Sequence, residues 1–97
     1  MSEISVTNNP NETRYEARHD GTLAGIATYT TDNNIITFTH VIVLPEFEGK
    51  GIGTALVEGA LEDVKTGQTY RVVPECSFMR KHIQCNSGRY EDILANH

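Results

Sequence analysis

One stretch, "EFEGKGIGTALVEGALEDV" from Glu46 to Val64, constrains this chain more than any other. Glycine stands at positions 49, 51 and 53, and a helix-period apolar pattern follows at Ile52, Leu56, Val57, Ala60, Leu61 and Val64. Glycine is a costly way to start a helix, because it loses more backbone entropy on folding than any other residue. Its use here implies a close approach to the backbone, or free N–H groups at the helix start that receive an anion. A tight strand-to-helix turn needs one or two glycines, so the third favours phosphate binding. The helix dipole would add ~0.3–1 kcal/mol for a negative charge at that end, and Lys50 supplies a cation. Neither common nucleotide motif fits. Thr54 or Leu56 stands where a dinucleotide fingerprint needs its third glycine, and Gly51 follows Lys50 where a Walker A loop needs Ser or Thr.

The flanking segments predict an α+β chain. "RYEARH" (Arg14–His19) alternates as a half-buried strand does and meets "LAGIATYTT" across Asp20-Gly21, a dipeptide suited to a two-residue hairpin. "DNN" at 32–34 makes the next turn, and "IITFTHVIV" (Ile35–Val43) is a β-branched third strand. These strands predict an antiparallel three-stranded meander, and the first dozen residues, with "TNNPNE", read as a polar lead-in. Lys65 and Gly67 carry the signals that close the helix. "TYRVV" (Thr69–Val73) is a further strand, reached by a crossover and therefore parallel to the third. "CSFMRKHIQC" suits a short helix with Phe78, Met79, His82 and Ile83 on one face, and "RYEDIL" adds a last turn that packs Tyr90, Ile93 and Leu94.

Ninety-seven residues predict one domain over 1–97. A net charge of −5 without a Lys/Arg cluster argues against a nucleic-acid partner. With no apolar run of membrane-span length and no charged-then-apolar leader, the expected location is cytoplasmic, away from membranes. Cys76 and Cys85 are expected as free thiols, and no ligand spacing predicts a metal site.

Cys76 follows a proline-terminated strand at the expected start of a helix, where the dipole and nearby Arg80 and Lys81 favour a nucleophilic thiolate. The plainer alternative is a buried cysteine. Counting by twos along its strand, His40 shares a face with Ile36, Phe38 and Ile42. A lone histidine there is a hydrogen-bonded core residue or a proton acceptor.

Strand, "EGKGIGTAL", helix and second strand resemble the acyl-CoA-binding core of the GNAT superfamily of N-acetyltransferases. The family pattern Gln/Arg-x-x-Gly-x-Gly/Ala falls on Glu48 to Gly53, with Glu48 in the Gln/Arg place. The order His40, glycine loop, "PECSF" and Tyr90 resembles more closely the minimal small GNAT-like (YjdJ-type) acetyltransferases, which lack helices between the first two strands. The resemblance implies a minimal GNAT-like fold using acetyl-CoA. It assigns the pyrophosphate to Gly49, Lys50, Gly51, Ile52, Gly53 and Thr54, and the pantetheine arm to the backbone of Val41, Ile42 and Val43. It also implies that Cys76 accepts acetyl or lines the pocket, and that His40 moves the proton. The implied acceptor is a small-molecule or peptide amine. A non-catalytic CoA-binding or acyl-sensing module is the alternative of another class.

Overall fold

Four strands, one more than the alternation predicts, come from the first half of the chain. The computed structural model describes residues 4–94. Strands β1 (Ile4–Asn9), β2 (Arg14–His19), β3 (Thr22–Asp32) and β4 (Ile35–Val43) form an antiparallel meander. A 3₁₀ turn (Pro45–Phe47) and helix α1 (Ile52–Gly67) lead to β5 (Arg71–Pro74), which lies parallel to β4 at the end of the five-stranded sheet. Helices α2 (Ser77–Cys85) and α3 (Ser87–Tyr90) and a 3₁₀ turn (Glu91–Ile93) complete the described chain. Among the described residues, no helix is long and apolar enough to cross a membrane.

β1 corrects the lead-in reading. Only Ile4 and Val6 mark it as a strand, and both pack against the core while Ser5 and Thr7 are exposed. The neighbouring hairpin follows the sequence. Asp20 and Gly21 both have positive φ, 51° and 88°, as a two-residue turn matched to strand twist requires.

α1 buries Ile52, Gly53, Leu56, Val57, Ala60, Leu61 and Val64. They form one cluster with Tyr15, Ala17, Ala27, Tyr29, Ile36 and Phe38 from the sheet. Each large aliphatic side chain buried this way contributes about 1.5–3 kcal/mol. Gly67 is the last helical residue, and Gln68 (φ 56°) takes the left-handed cap, its N–H donating to the Val64 carbonyl at 3.1 Å. In α2, Met79 and Ile83 are buried while Phe78 remains 45% exposed, so the predicted apolar face is turned by one position. Tyr90 and Ile93 pack inward, and Leu94 bridges to Val72.

One irregularity in β4 organises the site. Tyr29 pairs with Phe38, yet the preceding Thr28 pairs with His40, which leaves Thr39 as the extra residue of a β-bulge. The Thr39 and Thr28 hydroxyls meet at 2.7 Å across it. A bulge reverses side-chain parity, so counting by twos fails here. Ile36 and Phe38 face the core before it, whereas Val41 and Val43 do so after it. His40 and Ile42 are exposed. His40 therefore does not share a face with Phe38, and it is not a core residue.

Candidate functional site

The bulge also switches the backbone. Before it, the carbonyls of Asn34 and Phe38 point at the β5 side, accepting from Arg71 (2.7 Å) and Glu75 (3.0 Å). After it, the Leu44 N–H donates to the Ala24 carbonyl at 2.9 Å. Stepping by two from that pair, His40 and Ile42 turn their backbone groups to β3, and Val41 and Val43 turn theirs away from it. A Cβ built on Gly25 would lie 2.8 Å from the Ile42 carbonyl oxygen, which confirms that this oxygen faces β3. β5 follows β4 only from Ile35 to Phe38. Beyond Phe38 the two strands part, and the amides and carbonyls of Val41 and Val43 face the gap.

The gap opens onto the glycine loop. Gly49 (φ 80°) and Gly51 (φ 78°) hold left-handed backbone that a side chain disfavours. Gly51 is the N-cap of α1, with no side-chain cap, and the first intrahelical bond at this end runs from the Ala55 N–H to the Gly51 carbonyl. The N–H groups of Ile52, Gly53 and Thr54 precede that bond and are free of helical partners. Val43, Glu48, Gly49, Gly51, Ile52, Gly53, Thr54 and Phe78 line a groove of about 230 Å³. Lys50 is exposed beside it.

Gly53 answers to a different requirement from its two neighbours. A Cβ there would lie 2.9 Å from the ring tip of Phe78, so the third glycine lets α2 cover the start of α1. Sequence spacing alone treats all three alike, as anion-binding. Phe78 was missed as a wall of the groove because its helical spacing reads as core.

Cys76 sits at the parting of the strands. It is the N-cap of α2, is half-buried against the core, and donates its N–H to the Phe38 carbonyl at 3.2 Å. Arg80 spends its guanidinium on the carbonyls of Pro74 (3.3 Å) and Glu75 (2.8 Å), tying down the turn that carries Cys76. His40, two residues beyond Phe38, is exposed on the face away from α1. The strand ends thus bring the Cys76 and His40 backbones to one end of the gap, with the glycine loop at the other. Cys85 is exposed on α2. Tyr90 lies fully buried under α2, its ring 6.1 Å from that of His82, and burial raises its phenol above the usual range. Among the described residues, no group of three or more His, Cys, Asp or Glu could hold a metal ion.

A family model, GCN5-related N-acetyl-transferase, matches residues 14–93. The chain belongs to this family. The GCN5-related fold is also found in a solved ribosomal-protein-alanine N-acetyltransferase from Brucella melitensis biovar Abortus 2308, with a TM-score of 0.57 at 21% identity. That match covers 87% of this chain and 63% of the Brucella chain, so this chain spans less than two thirds of that protein's length. Among curated proteins, none matches the sequence. The family match begins at Arg14, so β1 lies outside it. The β1–β2 connection, residues 10–13, is a turn.

GCN5-related N-acetyltransferases take their acetyl group from acetyl-CoA. Two features of this chain fit that cosubstrate: an uncapped helix start behind glycines with open space about them, and strand backbone turned into a gap. One feature opposes it, since the Glu48 carboxylate lines the same groove.

Proposed function

We propose that this N-acetyltransferase holds acetyl-CoA along the gap between β4 and β5 and passes the acetyl group to an amine through Cys76. The observation that carries this reading is the end of β4–β5 pairing at Phe38. The pantetheine arm pairs with Val41 and Val43, and the diphosphate rests on the amides of Gly49–Thr54, with Lys50 as counter-charge. Acetyl-CoA supplies an activated thioester. Cys76 Sγ gives up its proton and forms a bond to the acetyl carbonyl carbon, while the CoA sulfur leaves and takes up a proton to become the free thiol. The amine nitrogen then displaces Sγ, and the His40 imidazole, open to solvent, takes the proton that nitrogen sheds. The acceptor is a small-molecule or peptide amine, met on the face where His40 is exposed.

Intact mass after incubation with acetyl-CoA tests the covalent route. An acetyl adduct on the native protein and Cys85→Ala, absent from Cys76→Ala, supports it. No adduct, with thermal protection by CoA intact, makes Cys76 a pocket wall and leaves direct transfer to the amine. Replacing His40 by Ala should lower turnover by ~10²-fold or more with little change in CoA affinity.

Glu48 favours a second reading, a CoA-binding or acyl-sensing module without turnover. A carboxylate beside a diphosphate is unfavourable. Amine panels decide between the two, because a sensor would bind CoA and acetylate nothing faster than buffer does.

A further inference from the structure

A second cleft, of about 250 Å³, lies at the opposite end of the sheet. Ile36 borders it, whereas Val43 borders the glycine groove. Seven residues of strand separate these positions, on the order of 20 Å. The cleft therefore takes no part in holding CoA at the glycine loop.

Its wall has a consistent chemistry. Tyr15, Tyr29 and Tyr70 contribute three phenols, and Asp63 contributes a carboxylate; among the described residues no Lys, Arg or His lines it. Three of the wall's donors are spent on its own acceptors. Tyr15 Oη donates to Asp63 Oδ2 at 2.7 Å, Tyr29 Oη to Asn8 Oδ1 at 2.7 Å, and Thr69 Oγ1 to the Gly67 carbonyl at 3.2 Å. The accepting amide and carboxylate oxygens keep lone-pair capacity beyond these bonds, as do the donating phenol oxygens. The last turn of α1, through Val64 and Gly67, adds the negative end of a helix dipole. The Tyr15 and Tyr29 rings, 5.6 Å apart, sit behind these oxygens as an apolar and polarisable floor.

We propose that this cleft is a binding site for a primary alkylammonium group, separate from the acetyl-transfer site and independent of its assignment. A ligand that carries positive charge and donates hydrogen bonds suits this wall, and its short alkyl stem meets the tyrosine rings. A neutral ligand of the same size would gain nothing from the Asp63 charge, and an anionic one would be repelled by it. The ammonium comes from a free amine or from a lysine side chain, and the chemistry is the same for both.

NMR titration of the full chain with n-butylammonium tests the site, with n-butanol as the uncharged match. We expect saturable shifts of the amides of Tyr29, Thr31 and Tyr70, with a dissociation constant in the millimolar range for so small a ligand and no shift at Gly49–Thr54. Butanol should give none of these shifts. Asp63→Asn keeps an acceptor for Tyr15 Oη and removes the charge, and should weaken binding at least tenfold. Thr31→Lys on the exposed rim places a tethered ammonium at the cleft, should block binding, and decides the matter if Asp63→Asn fails to fold. Spermidine against Nα-acetyl-lysinamide separates the two sources by which binds more tightly. Equal shifts with butanol, shifts that do not saturate, or binding indifferent to both substitutions would overturn the proposal.

Discussion

The ring of Phe78 occupies the space that a side chain on Gly53 would need, with a built Cβ only 2.9 Å from the ring tip. This contact joins the first turn of α1 to the first turn of α2 and closes one wall of the glycine groove. It divides the three glycines by cause. Gly49 and Gly51 answer to backbone conformation, and Gly53 answers to a neighbour.

Gly53→Ala should leave stability within ~1 kcal/mol of the native protein. The obstructing atom is the far end of a side chain 45% exposed, which can swing outward. Alanine also gains up to ~1 kcal/mol of helix propensity over glycine. CoA affinity should fall by about tenfold, because the displaced ring reshapes the groove. Thermal melting with calorimetric titration measures both, and unchanged affinity would mean that Phe78 is no wall of the CoA site.

Gly51→Ala should behave in the opposite way. Nothing lies within 4 Å of its missing Cβ, yet its φ of 78° is left-handed. An L side chain there costs roughly 1–2 kcal/mol. Urea denaturation should show a loss of that size. A neutral result would mean that the loop takes another conformation.

Gly59→Ala should destabilise through β1. The new Cβ would meet Val6 Cβ, Cγ1 and Cγ2 at 2.8, 2.9 and 3.0 Å, and a β-branched side chain pinned in a strand cannot turn away. Overpacking of this kind costs about 1–3 kcal/mol, less the gain in helix propensity. Adding Val6→Ala should recover part of the loss, and strictly additive effects in the double variant would show that the two residues do not touch.

Acid should weaken the fold partly through Glu16. This residue is 6% exposed although it lies on the sheet face away from α1, under Arg14 (2.9 Å), Arg18 (3.1 Å) and Asn9 (3.1 Å). The hydrogen bond from Asn9, then that from Arg14, hold its carboxyl below the ordinary value of 4.5. A carboxyl lowered by folding contributes stability above its unfolded value and loses it as pH falls through the folded one. Glu16→Gln should therefore narrow the stability gap between neutral pH and pH below 4.5. An identical acid profile for the two proteins would remove Glu16 from the account.

The sequence alone determines the elements whose signal is local. Period-3.6 apolar spacing fixes α1 and its buried face, Asp20-Gly21 fixes a hairpin that needs two positive φ values, and the β4–α1–β5 order fixes a parallel pair because a helical crossover returns the chain to the same end of the sheet. The glycine loop is legible in the same way as a turn of unusual backbone before a helix, although the separate causes of its glycines are not. Tertiary structure decides what depends on two segments at once. The bulge at Thr39 is a mismatch of register between β3 and β4, so no periodicity within β4 reveals it. Yet it sends His40 outward and turns the backbone of Val41 and Val43, rather than that of Ile42, into the gap. β1 has two apolar residues and gains its place by packing Val6 on Gly59. The space beside Gly53 is taken by Phe78, which arrives from another helix. Pairwise contacts between distant segments leave no periodic trace in either segment, and those contacts shape the site.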